Sequence, residues 1–190
     1  MSQRTKFLLL VAIFLVPTVA SFIAFYLFPP SKTTNYGTLI SPVVSLPPVP
    51  LVRLDTGAEQ LAQGLRGKWL IVTRDSGLCE ATCRKKLYAM RQARLILGRE
   101  QDRVLRVVLV DDDVRPAEPL QREFDGTIWL SAKALSWSVI LPRAADDAAG
   151  TNSIYAVDTQ GNVFMRYTAE PDIKKFANDL RRVLKVSQIG

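Results

Sequence analysis

The sequence predicts an α/β domain behind a single N-terminal transmembrane helix. Three observations lead to this prediction: a long uncharged apolar segment near the N-terminus, apolar runs that alternate with helical patterns farther along, and an ordinary globular composition. Of the 190 residues, 48% are hydrophobic and 23% are charged, which excludes a disordered chain. We divide the chain into a cytoplasmic tail (residues 1–6), a transmembrane anchor (7–28), an extracytoplasmic linker (29–50) and a domain (51–190).

The apolar segment at residues 7–28 carries no charge and is long enough to cross a bilayer, which takes about 20 apolar residues. Arg4 and Lys6 precede it, so the positive-inside rule keeps the N-terminus cytoplasmic and exports the rest of the chain. This predicts a single-pass protein of the bacterial inner membrane with a periplasmic domain. The alternative is a cleaved signal peptide whose apolar core ends at Pro17. The apolar run continues well beyond Pro17, which favours an uncleaved anchor.

The linker at residues 29–50 contains six of the eleven prolines of the chain. Proline fixes φ and has no N–H group to donate, so the segment is predicted to be extended and polyproline-like. It would then act as a tether that holds the domain away from the membrane. The alternative is that it packs along the surface of the domain, since Val43, Val44 and Leu46 could be buried there.

Two short apolar runs in the domain predict strands that are buried on both faces. Residues 65–72 end a turn and enter the first run, whose strand is Leu70–Val72. The second run is Val104–Val110. The second strand leads into three consecutive acidic residues, Asp111, Asp112 and Asp113, which form either a solvated turn or a proton acceptor near the cysteines. An amphipathic region follows at residues 130–141, where we expect a further helix.

Residues 79–98 predict a helix between the two strands. Apolar residues recur at helical spacing along it, and Gly98 is suited to a C-terminal cap. The apolar stripe consists of Cys83, Leu87, Met90 and Leu97. The basic residues outside the stripe are predicted to form a solvated face, with a docking surface for an acidic partner as the alternative.

The last part of the domain predicts a β-hairpin and a helix. Residues 154–157 and 163–167 are apolar runs on either side of a turn that contains Gly161, which is typical of an antiparallel hairpin. We expect this hairpin to lie beside the two buried strands. A helix is predicted from Pro171 to Val186, because proline is favoured at a helix start and Phe176, Leu180 and Leu184 then share one face.

The absence of histidine limits the chemistry of the chain. It excludes Ser-His-Asp hydrolases, Cys-His proteases, histidine-dependent zinc proteases and His-ligated haem. The two cysteines are too few for a four-thiolate zinc or iron–sulfur site. Of the net charge of +7, residues 1–50 carry +3 and the other 140 residues +4. A nucleic-acid binder would show a denser basic stripe with base-stacking aromatics, so we expect no nucleic-acid partner. One thiol pair remains as the candidate site.

Cys79 and Cys83 lie where the predicted loop enters the helix. A thiolate at a helix N-terminus is stabilised by unpaired N–H groups and by the helix dipole. The i, i+4 spacing puts the Cα atoms about 6 Å apart, within the range of a disulfide. The pair could therefore form a redox-active disulfide or bind a thiophilic ion. The alternatives are a purely structural disulfide and two buried, inert cysteines.

We further expect the two cysteines to differ. Cys79, at the helix start, is predicted to be the more exposed and more acidic thiol and hence the attacking thiolate. Cys83 lies one turn farther on and faces the apolar stripe. It is therefore predicted to resolve the mixed disulfide.

The order of elements and the position of the cysteines resemble the thioredoxin-like superfamily, and within it the Sco/SenC family of membrane-anchored cytochrome c oxidase assembly factors. The resemblance covers about residues 50–186 and implies a thioredoxin-like fold. It is carried by four features: the Leu-Arg-Gly-Lys-Trp entry to the first strand, the Cys-x-x-x-Cys motif of Cys79 and Cys83, the strand that ends at Asp111, and the Ile-Tyr-Ala-Val-Asp hairpin with Gly161.

The resemblance implies that Cys79 and Cys83 bind copper, as Cu(I), and reduce disulfides at the copper site of the oxidase. The implied partner is an oxidase subunit or another thiol protein. The sequence also departs from the family: residues 150–154 lack the copper-binding histidine, and Glu80 replaces the proline after the first cysteine. The proline that usually precedes the hairpin strand in thioredoxin-like proteins is absent too.

Two thiolates suit Cu(I), whereas losing the third ligand should weaken Cu(II) binding far more. We therefore expect thiol redox chemistry in oxidase assembly rather than copper delivery, with the chain acting as a thiol–disulfide oxidoreductase if it is an enzyme. Two alternatives stay open. One is a general exported thiol–disulfide oxidoreductase, and the other is a non-catalytic assembly scaffold.

Overall fold

The computed structural model describes residues 2–27, 34–112, 114–131, 141–142, 144–147, 150–187 and 189. The chain forms two units, Met1–Thr34 and Asn35–Gly190. The helices and strands are α1 (Gln3–Leu27), β1 (Thr38–Ser45), β2 (Pro50–Arg53), β3 (Glu59–Leu61), β4 (Trp69–Asp75), α2 (Ala81–Ile96), β5 (Val104–Val110), α3 (Glu118–Glu123), β6 (Thr127–Ser131), β7 (Ser153–Val157), β8 (Asn162–Thr168) and α4 (Ile173–Val186).

The first unit contains one long apolar helix, α1. Its length and composition are sufficient to cross a membrane, and it includes Pro17. The predicted anchor at residues 7–28 therefore coincides with a helix, except for Phe28, which lies outside the described residues. The orientation of this helix in a membrane stays a prediction.

The second unit is built on an eight-stranded mixed sheet with the order β1-β8-β7-β4-β5-β6-β2-β3. The neighbours β4, β5 and β6 are parallel, because helical connections return the chain to the end of the sheet at which each of these strands starts. The predicted hairpin is confirmed: β7 pairs with β8 and lies next to β4, which in turn lies next to β5. The α/β fold class is thereby confirmed.

Helices α2 and α4 bury their apolar faces against one side of the sheet. The predicted stripe of α2 is buried, as are Phe176, Leu180 and Leu184 of α4. The α4 side chains pack with Ile71 of β4 and with the hairpin strands. A second cluster, which includes Leu70 and Val107, fills the opposite side of the sheet. The alternation of side chains along each strand thus supplies both core layers.

The linker prediction needs correction, because much of residues 29–50 belongs to the sheet. β1 pairs with β8 at one edge, and Pro50 begins β2. Proline is compatible with both places, because the sheet does not need a backbone N–H donor at the outer side of an edge strand or at the first residue of a strand. The compact unit accordingly begins near Asn35 rather than at residue 51. The alternative that we kept open, packing onto the domain, is the correct one for this part.

Two other boundaries differ from the prediction. β4 continues to Asp75, beyond the predicted end of the first strand. The predicted amphipathic region at residues 130–141 begins inside β6, a strand that the sequence pattern did not reveal. Its residues 132–140 lie outside the described part of the chain. β6 was missed because Thr127–Ser131 is short and follows a six-residue helix, so neither period extends far enough to be recognised.

Asp179 of α4 fastens the start of the second unit to its core. Its carboxylate is buried and accepts hydrogen bonds from the backbone N–H groups of Tyr36 and Gly37, both at 2.8 Å. The Tyr36 hydroxyl in turn accepts a hydrogen bond from the backbone N–H of Asp172 at 2.9 Å. Segment 36–37 is therefore held along α4 by a charge-assisted bond, the stronger kind.

We expect Asp179→Ala to lower the free energy of unfolding by about 3 kcal/mol, because two buried N–H groups lose a charged acceptor. Asn178→Ala is the matched control, since Asn178 is the exposed neighbour on the same helix and should change stability little. Urea denaturation of both variants measures the difference. Equal stability of the two variants would contradict the role assigned to Asp179.

Candidate redox site

Cys79 and Cys83 form a disulfide, with their Cα atoms 5.0 Å apart. The bond lies in an apolar cluster under the start of α2, where it packs with residues of α2, β5, α3 and β6. The members of this cluster include Leu87, Val108 and Trp129. The sequence spacing allowed such a bond, and the structure joins the two sulfur atoms.

Cys79 lies outside the helix, contrary to the predicted start at residue 79. Helix α2 begins at Ala81, with Glu80 in an extended conformation at its N-cap. Cys79 itself has φ 47°, a left-handed conformation that residues other than glycine seldom adopt. The disulfide thus connects the entry loop to the first turn of α2, rather than two residues on one face of a helix. The helix also ends earlier than predicted, at Ile96, and Gly98 (φ 61°) follows it as the expected terminator.

The predicted contrast in exposure between the two cysteines is absent. Cys79 is 2% exposed and Cys83 is 1% exposed. The loop folds Cys79 back over the apolar cluster, so its place at the edge of the helix does not bring it into solvent. Exposure therefore gives no reason to assign the attacking role to Cys79.

A second loop supports the segment that carries Cys79. The carboxylate of Asp112 accepts hydrogen bonds from the Ser76 hydroxyl at 2.5 Å, the Gly77 N–H at 3.0 Å and the Val114 N–H at 3.1 Å. These bonds to a charged acceptor lower the pKa of Asp112, although its partial burial acts in the opposite direction. Gly77 and Val114 approach so closely that a Cβ atom on Gly77 would lie 1.7 Å from the Val114 carbonyl oxygen.

Lys86, three residues after Cys83 in α2, is a buried cation that was absent from the predicted site. Its side chain is 0% exposed, and its ammonium group forms an ion pair with Asp75 at 2.8 Å. It also donates hydrogen bonds to the carbonyl oxygens of Arg74, at 2.8 Å, and of Thr151. Lys86 thus joins the end of β4, the second turn of α2 and the loop before β7. Helical spacing could have identified it, since Lys86 lies between Cys83 and Leu87 of the apolar stripe.

The surroundings of Lys86 act on its charge in opposite directions. Burial lowers the pKa of Lys86 from its usual value, because the ammonium form loses its hydration. Asp75 raises it, and so do the more distant carboxylates of Asp147 and Asp111. The contacts that Lys86 makes are those of an ammonium group, with one carboxylate and two carbonyl acceptors.

An open depression of about 440 Å³ lies over the disulfide. Cys83 is part of its wall, so one residue of the disulfide borders a space that a second protein or a small thiol could enter. The other residues of the wall are Asp75, Ser76, Glu80, Ala81, Thr82, Thr151 and Asn152. The β4 carboxylate that borders this space is therefore Asp75, which was not among the predicted acidic residues.

Two residues of the predicted acidic turn, Asp111 and Asp112, bind other parts of the fold. Asp111 pairs with Arg74 at 2.8 Å, and Asp112 is occupied by the loop of Gly77. Asp113 lies outside the described residues. Within the described part of the chain, neither Asp111 nor Asp112 lines the depression at Cys83. A role for them as proton acceptors stays a prediction.

The donor set suits a soft ion only in part. Two thiolates become available when the disulfide is reduced, and thiolates are the ligands that Cu(I) prefers. Among the described residues, no group of three histidine, cysteine, aspartate or glutamate side chains is placed to hold a metal ion. The Thr151 carbonyl in the loop before β7 is already bonded to the Lys86 ammonium. Within the described part of the chain, the reduced site thus offers two sulfur donors, and the neighbouring loop is already bonded to Lys86.

A mixed sheet with a Cys-x-x-x-Cys disulfide where β4 enters α2 defines a thioredoxin-like thiol protein. Residues 69–187 match the family model described as "Transmembrane-like, thioredoxin-like, C-terminal domain", and the chain belongs to this family. No curated protein matches the chain.

Solved structures with a similar fold include Sco proteins. The chain is similar to yeast Sco1 with copper bound, at 15% identity and TM-score 0.58 over 78% of this chain and 96% of that one. It is also similar to Arabidopsis thaliana ScoI with copper bound, at 15% identity and TM-score 0.57 over 76% and 100%. A third similar structure is BsSco, at 16% identity and TM-score 0.57 over 79% and 99%. At these identities the comparisons confirm the thioredoxin-like Sco fold.

We expect Lys86→Met to lower the free energy of unfolding by about 3 kcal/mol, because Asp75 is left without its buried partner. Lys85→Met is the matched control. Lys85 is exposed and pairs with Glu170 on the surface, where an ion pair contributes under about 1 kcal/mol. Thermal or urea denaturation of the oxidised proteins compares the two. If the control lost as much stability as Lys86→Met, burial of Lys86 would not explain the effect.

We expect Gly77→Ala to destabilise the oxidised protein by about 3 kcal/mol, because the added Cβ meets backbone atoms that must move. Gly64→Ala should be nearly neutral, since a Cβ there has no neighbour within 4 Å. Both variants remove one glycine, so the unfolded chain changes equally. Measured stability of Gly77→Ala equal to that of Gly64→Ala would contradict the close approach of Gly77 to Val114.

Proposed function

We propose that the chain is a membrane-anchored thiol–disulfide protein that assists the assembly of the copper site of a respiratory cytochrome c oxidase. The observation that carries this proposal is the Cys79–Cys83 disulfide beside an open depression in a Sco-like fold. BsSco has a disulfide switch and is a member of the Sco family of cytochrome c oxidase assembly proteins. The likeness in fold, together with the Cys79–Cys83 disulfide of this chain, supports the same class of role here.

The proposed location follows from α1 and the charges before it. Arg4 and Lys6 would hold the N-terminus in the cytoplasm, α1 would span the bacterial inner membrane, and the domain would lie in the periplasm. Disulfides persist in that compartment, whereas the cytoplasm keeps thiols reduced. This arrangement would place the cysteine pair on the side where exported oxidase segments are assembled.

The proposed chemistry is thiol–disulfide exchange with a partner thiol. A partner thiolate attacks the Cys83 sulfur from the depression, forms a mixed disulfide with it and releases the Cys79 thiolate, which takes a proton from solvent. A second partner thiolate then displaces Cys83, so that the partner gains a disulfide and the chain gains two thiols. In reverse, the reduced chain reduces a partner disulfide, with Cys83 attacking first and Cys79 resolving.

This order reverses our expectation from the sequence, in which Cys79 attacks. Both sulfur atoms are buried, but Cys83 belongs to the wall of the depression, so an incoming group can approach it with a small shift of side chains. Cys83 also lies in the first turn of α2, where the unpaired N–H groups stabilise a thiolate.

Copper is the second candidate cargo of the same pair. Reduced Cys79 and Cys83 would hold one Cu(I) ion through two thiolates, and each thiolate would be indispensable because the chain has no histidine to replace it. Cu(I) titration of the reduced protein tests this. Replacing either cysteine with serine should abolish binding, and binding that survives in either variant would assign the copper to other residues.

We expect Cys79→Ser to accumulate a covalent adduct with its partner through Cys83, because the resolving thiol is gone. Cys83→Ser should yield little adduct, and the double serine variant should yield none. Non-reducing gels of membranes, followed by mass spectrometry, measure the adduct and identify the partner. More adduct with Cys83→Ser than with Cys79→Ser would restore the order that we expected from the sequence.

Loss of the chain should reduce the activity of the oxidase, and the double serine variant should fail to restore it. An oxidase subunit in the trapped adduct supports the proposed partner. Adducts with unrelated exported thiol proteins would favour a general oxidoreductase. Full restoration of oxidase activity by the double serine variant would reject the thiol mechanism. The function would then be that of a non-catalytic assembly scaffold.

A further inference from the structure

The charge of the second unit is concentrated on two helices. Ten of the 22 basic residues after residue 34 lie in α2 and α4, whereas only one of the 18 acidic residues does. That acidic residue is Asp179, which is buried against Tyr36 and Gly37. Lys86 is one of the ten basic residues but is buried and paired with Asp75, so the other nine supply the positive charge at the surface. The remainder of the unit therefore carries more acidic than basic residues. Such an asymmetry creates a positive potential on one face of the domain.

Helix α4 forms the most uniform part of this face. Every exposed residue of α4 is basic except Asn178 and Val186. We call the basic ones the α4 basic face, which consists of Lys174, Lys175, Arg181, Arg182 and Lys185. The 14 residues of α4 extend over about 21 Å. Val186, which is 89% exposed, adds an apolar group at the end of the helix.

Among the described residues, the ion pairs of the second unit leave most of the α4 basic face positive. Arg181 donates to the backbone carbonyl of Ile96, which carries no net charge, and Arg182 lies 4.0 Å from the carboxylate of Asp179. Two exposed acidic residues, Glu170 and Asp102, form ion pairs with α2 rather than with α4. Glu170 pairs with Lys85, and Asp102 pairs with Arg94. The α4 basic face is a row of cations along a protruding helix. It can therefore bind a broad anionic surface.

The chain that leads to the candidate membrane span starts alongside α4. Tyr36 is bonded to Asp179 and to the N–H of Asp172, and Lys175 lies 5.5 Å from its ring. Seven residues, 28–34, separate α1 from the second unit, and they reach about 25 Å when fully extended. An anchored domain on so short a tether meets the lipid surface at a high effective concentration.

We propose that the α4 basic face docks on anionic phospholipid headgroups of the membrane in which α1 is inserted. This proposal rests on the membrane anchoring proposed above. Clusters of four to eight lysine and arginine residues on an amphipathic helix bind anionic lipid through the surface potential, and Val186 can enter the headgroup region. An acidic protein is the alternative ligand, but the short tether and the convex form of this helix face favour lipid.

The test uses the full chain in nanodiscs of phosphatidylcholine alone, or of phosphatidylcholine with one third phosphatidylglycerol. Acylation of lysine amines is quantified by mass spectrometry. We expect Lys174 and Lys185 to react several-fold more slowly in the anionic discs, while Lys68, which is exposed outside α4, reacts equally in both. About 1 M salt should remove the difference, because the Debye length falls to about 3 Å.

Variants separate docking from a general effect of the lipid. Lys175→Gln with Arg182→Gln should restore the reactivity of Lys174 and Lys185 in anionic discs, whereas Arg115→Gln with Arg122→Gln, exposed sites away from α4, should not. Both double variants must retain the disulfide and the stability of the parent chain.

Equal reactivity of Lys174 in the two kinds of disc would overturn the proposal. Equal slowing of Lys68 would overturn it as well. If polyglutamate added to the phosphatidylcholine discs slowed the acylation of Lys174 and phosphatidylglycerol did not, the face would be assigned to an acidic protein and the proposal would be wrong. Failure of the chain to enter phosphatidylcholine discs would contradict the anchor itself, and docking would fall with it. That outcome is distinct from a chain that enters both discs without protection.

Discussion

The buried ammonium of Lys86 is the interaction on which the site depends. Burying a charge costs several kcal/mol unless it is paired and hydrogen-bonded, and Lys86 meets that condition through Asp75 and two carbonyl oxygens. Those acceptors belong to the end of β4 and to the loop before β7. Since α2 carries both Lys86 and Cys83, the same contacts fix the helix that positions the disulfide.

The loop of Cys79 is held by complementary means. Asp112 binds the N–H of Gly77, and Gly77 lies against the Val114 carbonyl at a distance that admits no side chain. Cys79 then takes a left-handed conformation that places its sulfur over the apolar cluster and within reach of Cys83. A polar clamp on one side and a disulfide on the other thus enclose the entry loop, which explains why both cysteines are buried.

Periodicity was enough to predict the parts of the fold that follow one regular pattern. The hairpin, the β4–β5 strand pair, the buried stripe of α2 and the apolar face of α4 are of this kind. β1 was missed because proline usually marks a linker, and only the tertiary neighbour β8 makes it a strand. The ion pair of Lys86 with Asp75 joins an α2 side chain to the end of β4, and its identification requires the packing of the helix on the sheet.

The role of Lys86 bears on how far the site depends on metal. The resemblance to Sco proteins implied a histidine just before the hairpin strand, and this chain has Gly150, Thr151 and Asn152 there. That loop is instead tied to α2 by the bond from Lys86 to the Thr151 carbonyl. A bound ion is therefore not needed to hold the loop against the disulfide. The charge of Lys86 is balanced by Asp75, whose carboxylate borders the depression at Cys83. The loop before β7 thus borders the depression at Cys83 in a position set by its bond to Lys86, although it carries no histidine.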